Sequence, residues 1–275
     1  MSQAFPFNTS AFGFSSTNAL SLARVAQVVY KKNAAITKQV VAWGFEASRY
    51  RFIDRDGTQT CLIADDEKII LAFRGTEPTV LRDWATDAKI RKTQGPGGDV
   101  HRGFARALGV VLPEVEDAIE ALRIKQQTLW ITGHSLGGAL AALAAASLRF
   151  RERPIGVNGV YTFGQPRTGS QAFADHYNAA LKSKTFRLVN NNDVVTRVAP
   201  SRFDYGHVGT LRYFDHNGQL HLDSDLSWWD RFWDRAKGRL EGFLDHNLAD
   251  GIHDHSMDGY LSLIEKHCKT APDGT

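Results

Sequence analysis

The sequence lacks several features that mark specialised protein classes. Two cysteines, Cys61 and Cys268, occur among 275 residues, too few for a disulfide framework, so we expect free thiols. No run approaches the roughly 18 uninterrupted apolar residues that a membrane-spanning helix requires. The first residues contain neither a basic region nor a continuous apolar region. We therefore expect no signal peptide of the usual kind and a cytoplasmic location by default, with secretion left open.

Charge of one sign is also scarce. The chain has 33 Lys and Arg against 30 Asp and Glu, a net charge of +3, and the two signs alternate closely, as between Asp230 and Arg235. A nucleic-acid-binding protein would concentrate its cations in one stripe. A mixed, solvated surface is the better interpretation, and we expect no nucleic-acid partner.

Apolar periodicity predicts the first half of the fold. Helical spacing predicts a helix over residues 18–32, with Ser16 or Thr17 as its N-cap. Three short strands separated by polar turns are predicted next, forming an antiparallel meander at 49–53, 60–64 and 68–73. No repeat, linker or composition shift marks a boundary, so we expect one domain over residues 1–275.

After the meander, helical segments alternate with brief apolar runs. Such runs are typical of buried parallel strands joined by helices, and they lie at 129–132, 160–163 and 186–189. Pro113 predicts a kink or two helices between Arg102 and Ile124, and Asn217-Gly218 predicts a hairpin turn. We therefore expect an α/β fold with a mostly parallel central sheet, an antiparallel N-terminal meander and helices on both faces.

The segment Gly133-His134-Ser135-Leu136-Gly137 fits the Gly-x-Ser-x-Gly pattern of a nucleophile elbow. There the serine occupies a strained turn between a strand and a helix, and the two glycines avoid collisions with both. A strand run at 128–132 precedes the segment, and an alanine- and leucine-rich helix at 139–150 follows it. This order predicts an α/β-hydrolase fold with Ser135 as the nucleophile, against the alternative of an ordinary tight turn.

Six segments, in order along the chain, resemble those of the class 3, or fungal-type, lipases. They are Leu71 to Thr76, Arg82 to Asp87, Val100 to Phe104, Tyr161 to Arg167, Val189 to Val195 and Asp254 to Tyr260. The resemblance implies a serine ester hydrolase, first of all a triacylglycerol lipase that cleaves medium- or long-chain acylglycerols. A phospholipase A1, a feruloyl-type esterase, an acyltransferase and an inactive lipid-binding relative stay open as alternatives.

The acid and base of the site must follow Ser135, because the chain order in this fold is nucleophile, acid, base. Asp193 follows the strand run 186–189 and matches the family motif, whereas Asp204 and Asp215 compete with it. Seven histidines come after Asp193: His207, His216, His221, His246, His253, His255 and His267. The motif favours His255, with His253 as the runner-up.

The resemblance also implies an oxyanion hole and a lid. The oxyanion hole would use the backbone N–H groups of Leu136 and Thr76, with the Thr76 hydroxyl as a further donor. Residues 77–95 would form a lid and hinge, in which Val80, Leu81 and Trp84 lie on an apolar face. Asp87 matches a family residue that fixes the oxyanion side chain. An ordinary surface helix is the alternative interpretation of this segment.

A second amphipathic helix is predicted over residues 224–247. Its tryptophan-rich stripe favours packing on the core over binding to a membrane surface. No spacing of His, Cys, Asp or Glu suggests a metal site, and we expect no cofactor. The partners expected are a lipid or other ester substrate and, transiently, a lipid–water interface.

Overall fold

The computed structural model describes residues 5–76, 91–191, 193–198, 201–222 and 254–270. The lid residues Val80, Leu81, Trp84 and Asp87 and the predicted helix over 224–247 lie outside this part of the chain. No described helix combines the length and apolarity needed to cross a bilayer. Cys61 and Cys268 are both free thiols, as predicted.

Helices and strands alternate along most of the described chain. The helices are α1 (Ser16–Val28), α2 (Asn33–Ala42), α3 (Arg102–Gly109), α4 (Leu112–Leu122), α5 (Leu136–Phe150), α6 (Gln171–Leu181) and α7 (Met257–Thr270). The strands are β1 (Tyr50–Arg55), β2 (Thr58–Ala64), β3 (Lys68–Phe73), β4 (Lys92–Gly95), β5 (Gly98–His101), β6 (Thr128–His134), β7 (Gly159–Phe163), β8 (Gly169–Ser170), β9 (Thr185–Asn190), β10 (Tyr205–Gly206), β11 (Thr210–Phe214) and β12 (Leu220–Leu222).

Eight strands form one sheet in the order β1-β2-β3-β6-β7-β9-β11-β12. The five strands from β3 to β11 in this order run parallel, and antiparallel strands lie at both edges. The predicted N-terminal meander and the predicted mostly parallel sheet are therefore confirmed. Pro113 separates α3 from α4 because it lies in the first turn of α4, where its missing N–H is no loss.

The start of the chain corrects two predictions. The first helix begins at Ser16 and ends at Val28, so the predicted range of 18–32 was displaced, and α2 was not predicted. The N-cap is Ser15, not Ser16 or Thr17. Ser15 has extended backbone dihedral angles, and its hydroxyl accepts a hydrogen bond from the N–H of Asn18 at 3.1 Å. Ser16 is already helical and buried.

The core has two halves, one on each face of the sheet. Alternate strand residues point in opposite directions, so Leu62, Leu71 and Ile131 pack with α4 and α5, on one face. Ile63 and Ile70 pack with α1, α2 and α7 on the other face. The helix after Ser135 is buried almost throughout, which explains its richness in small alanines close to the sheet.

A second, four-stranded sheet has the order β10-β8-β5-β4. It includes part of the segment predicted as lid and hinge, because Lys92–Gly95 forms β4 and pairs antiparallel with β5. The end of the segment predicted as lid and hinge is therefore regular strand. The hinge function itself stays a prediction.

Candidate active site

Ser135 lies on a sharp turn between β6 and α5, as the elbow motif predicts. Its backbone has φ 60° and ψ −128°, a strained conformation for a residue with a Cβ. The turn is tight enough to exclude side chains at both flanking glycines. A Cβ on Gly133 would lie 2.2 Å from the carbonyl oxygen of Gly137, and one on Gly137 would lie 2.2 Å from that of Phe73.

Asp193 and His255 form a buried hydrogen-bonded pair. They are 62 residues apart in the chain, and Nδ1 of His255 lies 2.9 Å from each carboxylate oxygen of Asp193. Asp193 follows β9 and is fully buried, and His255 precedes α7 and is 2% exposed. A carboxylate can only accept hydrogen bonds, so Nδ1 of His255 carries the proton and Nε2 is left as a base.

The reactive atoms of Ser135 and His255 are both buried. Neither the Oγ of Ser135 nor the Nε2 of His255 has a hydrogen-bond partner among the described residues, so the two atoms are not bonded to each other in this structure. Such bonds are often long in unliganded enzymes and shorten when a substrate is bound. The arrangement places a hydroxyl and an imidazole nitrogen in a buried site, neither of them bonded to a described residue.

Asp193 remains ionised despite its burial. Burial alone would raise the pKa of the carboxyl group, but attraction to His255 and hydrogen bonds from His255 and Tyr260 lower it below its usual value. The Tyr260 hydroxyl donates to Oδ2 of Asp193 at 2.6 Å and accepts from the N–H of Asn190 at 3.0 Å. Burial raises the pKa of Tyr260 well above its usual value, so the phenol stays protonated and keeps donating.

The Asp193–His255 pair fits closely against Gly164, the residue after β7. Gly164 has φ +60°, and a Cβ there would lie 2.7 Å from both the Asp193 carboxylate and the His255 ring. Any side chain would therefore displace the pair. This glycine and Tyr260 were given no role from the sequence, although both lie inside motifs that were recognised. Their importance depends on contacts between distant parts of the chain.

The two residues predicted to form the oxyanion hole lie at the ends of neighbouring elements. Leu136 is the first residue of α5, so its N–H has no helical carbonyl to pair with, and the helix dipole favours negative charge there. Thr76 lies three residues after β3, and its hydroxyl is buried without a hydrogen-bond partner among the described residues. The oxyanion role of both residues stays a prediction.

A cavity of about 290 Å³ adjoins Thr76 and Leu136. Its lining includes Arg74, whose guanidinium donates to the Gln59 side chain at 2.7 Å. Leu140, one turn along α5 from Leu136, also lines it. The cavity therefore offers both polar and apolar side chains beside the two residues predicted to form the oxyanion hole.

The competing acids have other partners. Asp204 is exposed and binds Lys92 at 2.8 Å, and Asp215 binds His221 at 3.0 Å and turn amides. The runner-up base, His253, lies outside the described residues. Among the described acids and histidines, Asp193 and His255 are therefore the pair that the fold buries beside the elbow.

Comparisons with known proteins agree with this geometry. The sequence profile of the lipase (class 3) family matches residues 70–203. The triacylglycerol lipase OBL1 of Arabidopsis thaliana is 29% identical over 253 residues, covering 71% of this chain and 49% of the relative. The lipase of Rhizomucor miehei is 35% identical over 161 residues, covering 56% of this chain and 44% of the relative.

A solved structure gives the same result. A triacylglycerol lipase, described as having a serine protease triad as its catalytic centre, is 26% identical with a TM-score of 0.59, covering 74% of this chain and 82% of that one. The fold and the elbow define an α/β-hydrolase. Over residues 70–203 the chain matches the class 3 lipase family, the family that its motif segments resemble. It spans about half the length of the curated relatives it matches.

Proposed function

We propose that the protein is a serine ester hydrolase that acts as a triacylglycerol lipase on medium- or long-chain acylglycerols. The observation that carries the proposal is the buried Asp193–His255 pair beside the elbow that bears Ser135, with the Nε2 of His255 not hydrogen-bonded to any described residue. Both curated relatives named above are lipases, and one is named as a triacylglycerol lipase. These names support the choice of acylglycerols among possible esters.

The proposed reaction has two halves and uses water as its second substrate. His255 Nε2 takes the proton of Ser135 as Oγ bonds to the ester carbonyl carbon, and the resulting oxyanion accepts hydrogen bonds from the N–H groups of Leu136 and Thr76. His255 then returns the proton to the departing alcohol as the C–O bond breaks. In the second half His255 Nε2 takes a proton from water as the water oxygen bonds to the acyl carbon. It then returns that proton to Ser135 Oγ as the Oγ–C bond breaks, which releases the carboxylic acid.

Asp193 acts through His255 in this scheme. It keeps the proton on Nδ1 and stabilises the imidazolium that forms when Nε2 takes the Ser135 proton. The hydrogen bonds at 2.9 Å to both carboxylate oxygens suit this role. Asp87 would fix the oxyanion side chain of Thr76, and Val80, Leu81 and Trp84 would cover the acyl site as part of a lid over residues 77–95.

Ester hydrolysis at a lipid–water interface completes the proposal. Acylglycerols of medium or long chain are water-insoluble, so their ester bonds are reached at an interface, where an apolar lid face would make contact. A step in rate as an acylglycerol passes its solubility limit would support this part. A smooth saturation curve through that limit would contradict it without affecting the chemistry at Ser135.

A substrate panel with a Ser135→Ala control tests the function. The panel contains short- and long-chain p-nitrophenyl esters, emulsified triolein, phosphatidylcholine and a feruloyl ester. We expect hydrolysis of triolein and long-chain esters, and a loss on the order of 10⁴-fold or more in kcat for Ser135→Ala, which should remain folded. Preferred cleavage of phosphatidylcholine or the feruloyl ester would instead identify a phospholipase A1 or a feruloyl-type esterase.

The two neighbouring histidines provide a test of the base. His255→Ala should lower kcat on the order of 10⁴-fold, because the nucleophile then has no base. His253→Ala serves as the matched control and should change kcat little. The opposite result would move the base to His253 and contradict the importance given to the Asp193–His255 contact.

A further inference from the structure

His134, the residue before Ser135, contacts the backbone of His255. Its Nε2 lies 2.6 Å from the carbonyl oxygen of His255, and its Nδ1 lies 2.8 Å from the hydroxyl of Tyr30. The two imidazole rings lie side by side, with centroids 4.5 Å apart and planes at 32°. His134 is 6% exposed, and its contact with the His255 carbonyl is buried, whereas that with Tyr30 is part-buried.

The partners determine where the His134 proton lies. The carbonyl oxygen of His255 can only accept, so Nε2 of His134 must be protonated and donate. Burial, followed by the neighbouring charge of His255, lowers the pKa of His134 to about 3, so the ring is neutral at neutral pH. Its Nδ1 is therefore bare and accepts the hydroxyl proton of Tyr30.

We propose that His134 is a positioning residue for the base: its Nε2–H holds the carbonyl group of His255, and Tyr30 holds His134 in the tautomer that can do so. The inference rests on the proposed function, because positioning matters only if His255 is the base. His134 touches neither the ester nor the reacting atoms in this role. It acts through the backbone from which the His255 side chain projects.

The contact supplies a second anchor for His255. Asp193 holds the ring at Nδ1, but one anchor leaves the ring free to tilt about that contact. The His134 bond fixes the other end, at the main chain, and the Asn190 side chain also holds the neighbouring carbonyl of Asp254 at 2.8 Å. Because His134 and Ser135 are adjacent, the elbow carries both the nucleophile and an anchor of its base.

A neutral His134 also suits the charge that the reaction creates. His255 becomes positive when it takes the proton of Ser135, and a second imidazolium with its centroid 4.5 Å away would oppose that charge. Among the described residues, the other groups near His134 are the Asp193 carboxylate and the Tyr260 ring, 6.0 Å away, and the Arg74 guanidinium lies over the Tyr30 ring. An uncharged His134 therefore adds no positive charge beside the imidazolium of His255.

Four variants test the proposal. His134→Leu removes the donor, His134→Gln keeps an N–H donor at the end of a side chain of similar reach, and Tyr30→Phe removes only the hydroxyl that fixes the tautomer. Tyr177→Phe is the matched control for Tyr30→Phe. The Tyr177 hydroxyl is buried and bonded to Thr185 Oγ1 at 2.8 Å, and Tyr177 lies on α6, outside the active site.

The measurement separates the number of working sites from the rate at each site. A p-nitrophenyl phosphonate, allowed to react to completion, counts the molecules whose Ser135 is folded and reactive, and a soluble short-chain p-nitrophenyl ester gives kcat and KM. A structural role for His134 would reduce the number of titrated sites. A positioning role reduces kcat per titrated site and leaves KM nearly unchanged.

We expect His134→Leu to lower kcat per site about 10- to 100-fold, the range for a displaced reacting group. His134→Gln should recover most of this loss, Tyr30→Phe should show a smaller loss of the same kind, and Tyr177→Phe should match wild type per site. Wild-type kcat per site in both His134→Leu and Tyr30→Phe would overturn the proposal, as would equal losses in the Leu and Gln variants. Failure of the proposed function is distinct, because wild type itself would then neither hydrolyse the esters nor react with the phosphonate.

Discussion

At the scale of single residues, Asp193 is the ionised group whose burial most needs an explanation. Its carboxylate is fully buried, and burial alone favours the neutral acid. The Nδ1–H of His255, shared between the two carboxylate oxygens, and the hydroxyl of Tyr260 reverse this preference. Each donor therefore supports an ionised acid, which in the proposed mechanism orients the base His255, and removal of a donor should affect stability and rate together.

Tyr260→Phe removes one of these donors and keeps the ring that packs beside it. We expect a loss of about 1.5–3 kcal/mol in the free energy of unfolding at neutral pH, the usual range for a hydrogen bond to a charged group. We also expect kcat to fall by up to about tenfold, which corresponds to roughly 1.4 kcal/mol in the transition state. Urea unfolding and ester hydrolysis measure the two effects.

The pH dependence of this variant has a definite sign. The pKa of Asp193 is lowered in the folded protein, so ionised Asp193 adds stability above its unfolded pKa, and this stability is lost as the pH falls through its folded pKa. The difference between wild type and Tyr260→Phe should therefore shrink in acid. Tyr177→Phe, which loses a bond to the neutral Thr185 hydroxyl, should show no such change. Equal differences at pH 7 and pH 3 would contradict the assignment.

At the scale of elements, the elbow joins three parts of the sheet and its helix. β3 ends at Phe73 directly against Gly137, β6 delivers Ser135, and the Ser135 N–H donates to the carbonyl of Phe163 at the end of β7 at 2.9 Å. The backbones at this junction approach so closely that no Cβ fits between them. The glycines of the elbow motif are therefore required because any Cβ at these positions would collide with a neighbouring backbone carbonyl.

Gly137→Ala should disrupt this junction. Its Cβ would lie 2.2 Å from the Phe73 carbonyl oxygen, a backbone atom held in the sheet. We expect a loss of about 3 kcal/mol or more in the free energy of unfolding, measured by urea denaturation. Gly109→Ala is the matched control, because it ends α3 with nothing within 4 Å of the new Cβ. It should be stabilising by roughly 0.5–1 kcal/mol, and similar losses in both variants would contradict the collision.

The strands and helices also differ in how well local sequence patterns predicted them. The strands β2, β3, β6, β7 and β9 were predicted, because their apolar runs and turns are local features. The N-cap Ser15 and the helix α2 were not. Capping depends on which serine has extended backbone, and α2 buries little besides Ile36 and Val40, so its pattern is weak.

At the scale of the whole molecule, two histidines that stay neutral in the folded protein couple its stability to pH. Burial lowers the pKa of His134 to about 3. Burial and the cations Arg187 and Arg167 lower that of His207 well below its usual value. The unfolded chain takes up protons at these histidines near pH 6.5, but the folded chain does not. Stability must therefore fall as the pH drops below about 6.5.

We expect a slope of up to about 1.4 kcal/mol per pH unit from each such histidine. Urea unfolding between pH 7.5 and pH 4.5 measures the total slope. His134→Gln and His207→Gln each remove one titrating group. Each should therefore reduce the slope of the free energy of unfolding against pH by the contribution of one histidine, whatever the stability of the variant at pH 7.5. An unchanged slope in either variant would show that the histidine is protonated in the folded protein.

The sequence by itself determined the meander, the parallel strands around the elbow, the elbow and the resemblance to the class 3 lipases, because each is encoded in spacing along a few dozen residues. Ser135 needs a strand before it, a helix after it and glycines two residues to either side, and all of these are local. The chain order of Asp193 and His255 also follows from the sequence and its resemblance to the class 3 lipases.

The tertiary structure alone decided which distant groups meet around Ser135. Sheet order places the end of β9 beside the end of β7, and the packing of α7 on α1 and the sheet brings His255 to Asp193 and to His134. Apolar periodicity reports which face of an element is buried but not what covers it. The contacts of Tyr260, Gly164 and His134 therefore follow from how the helices pack on the two faces of the sheet, which the sequence pattern does not specify.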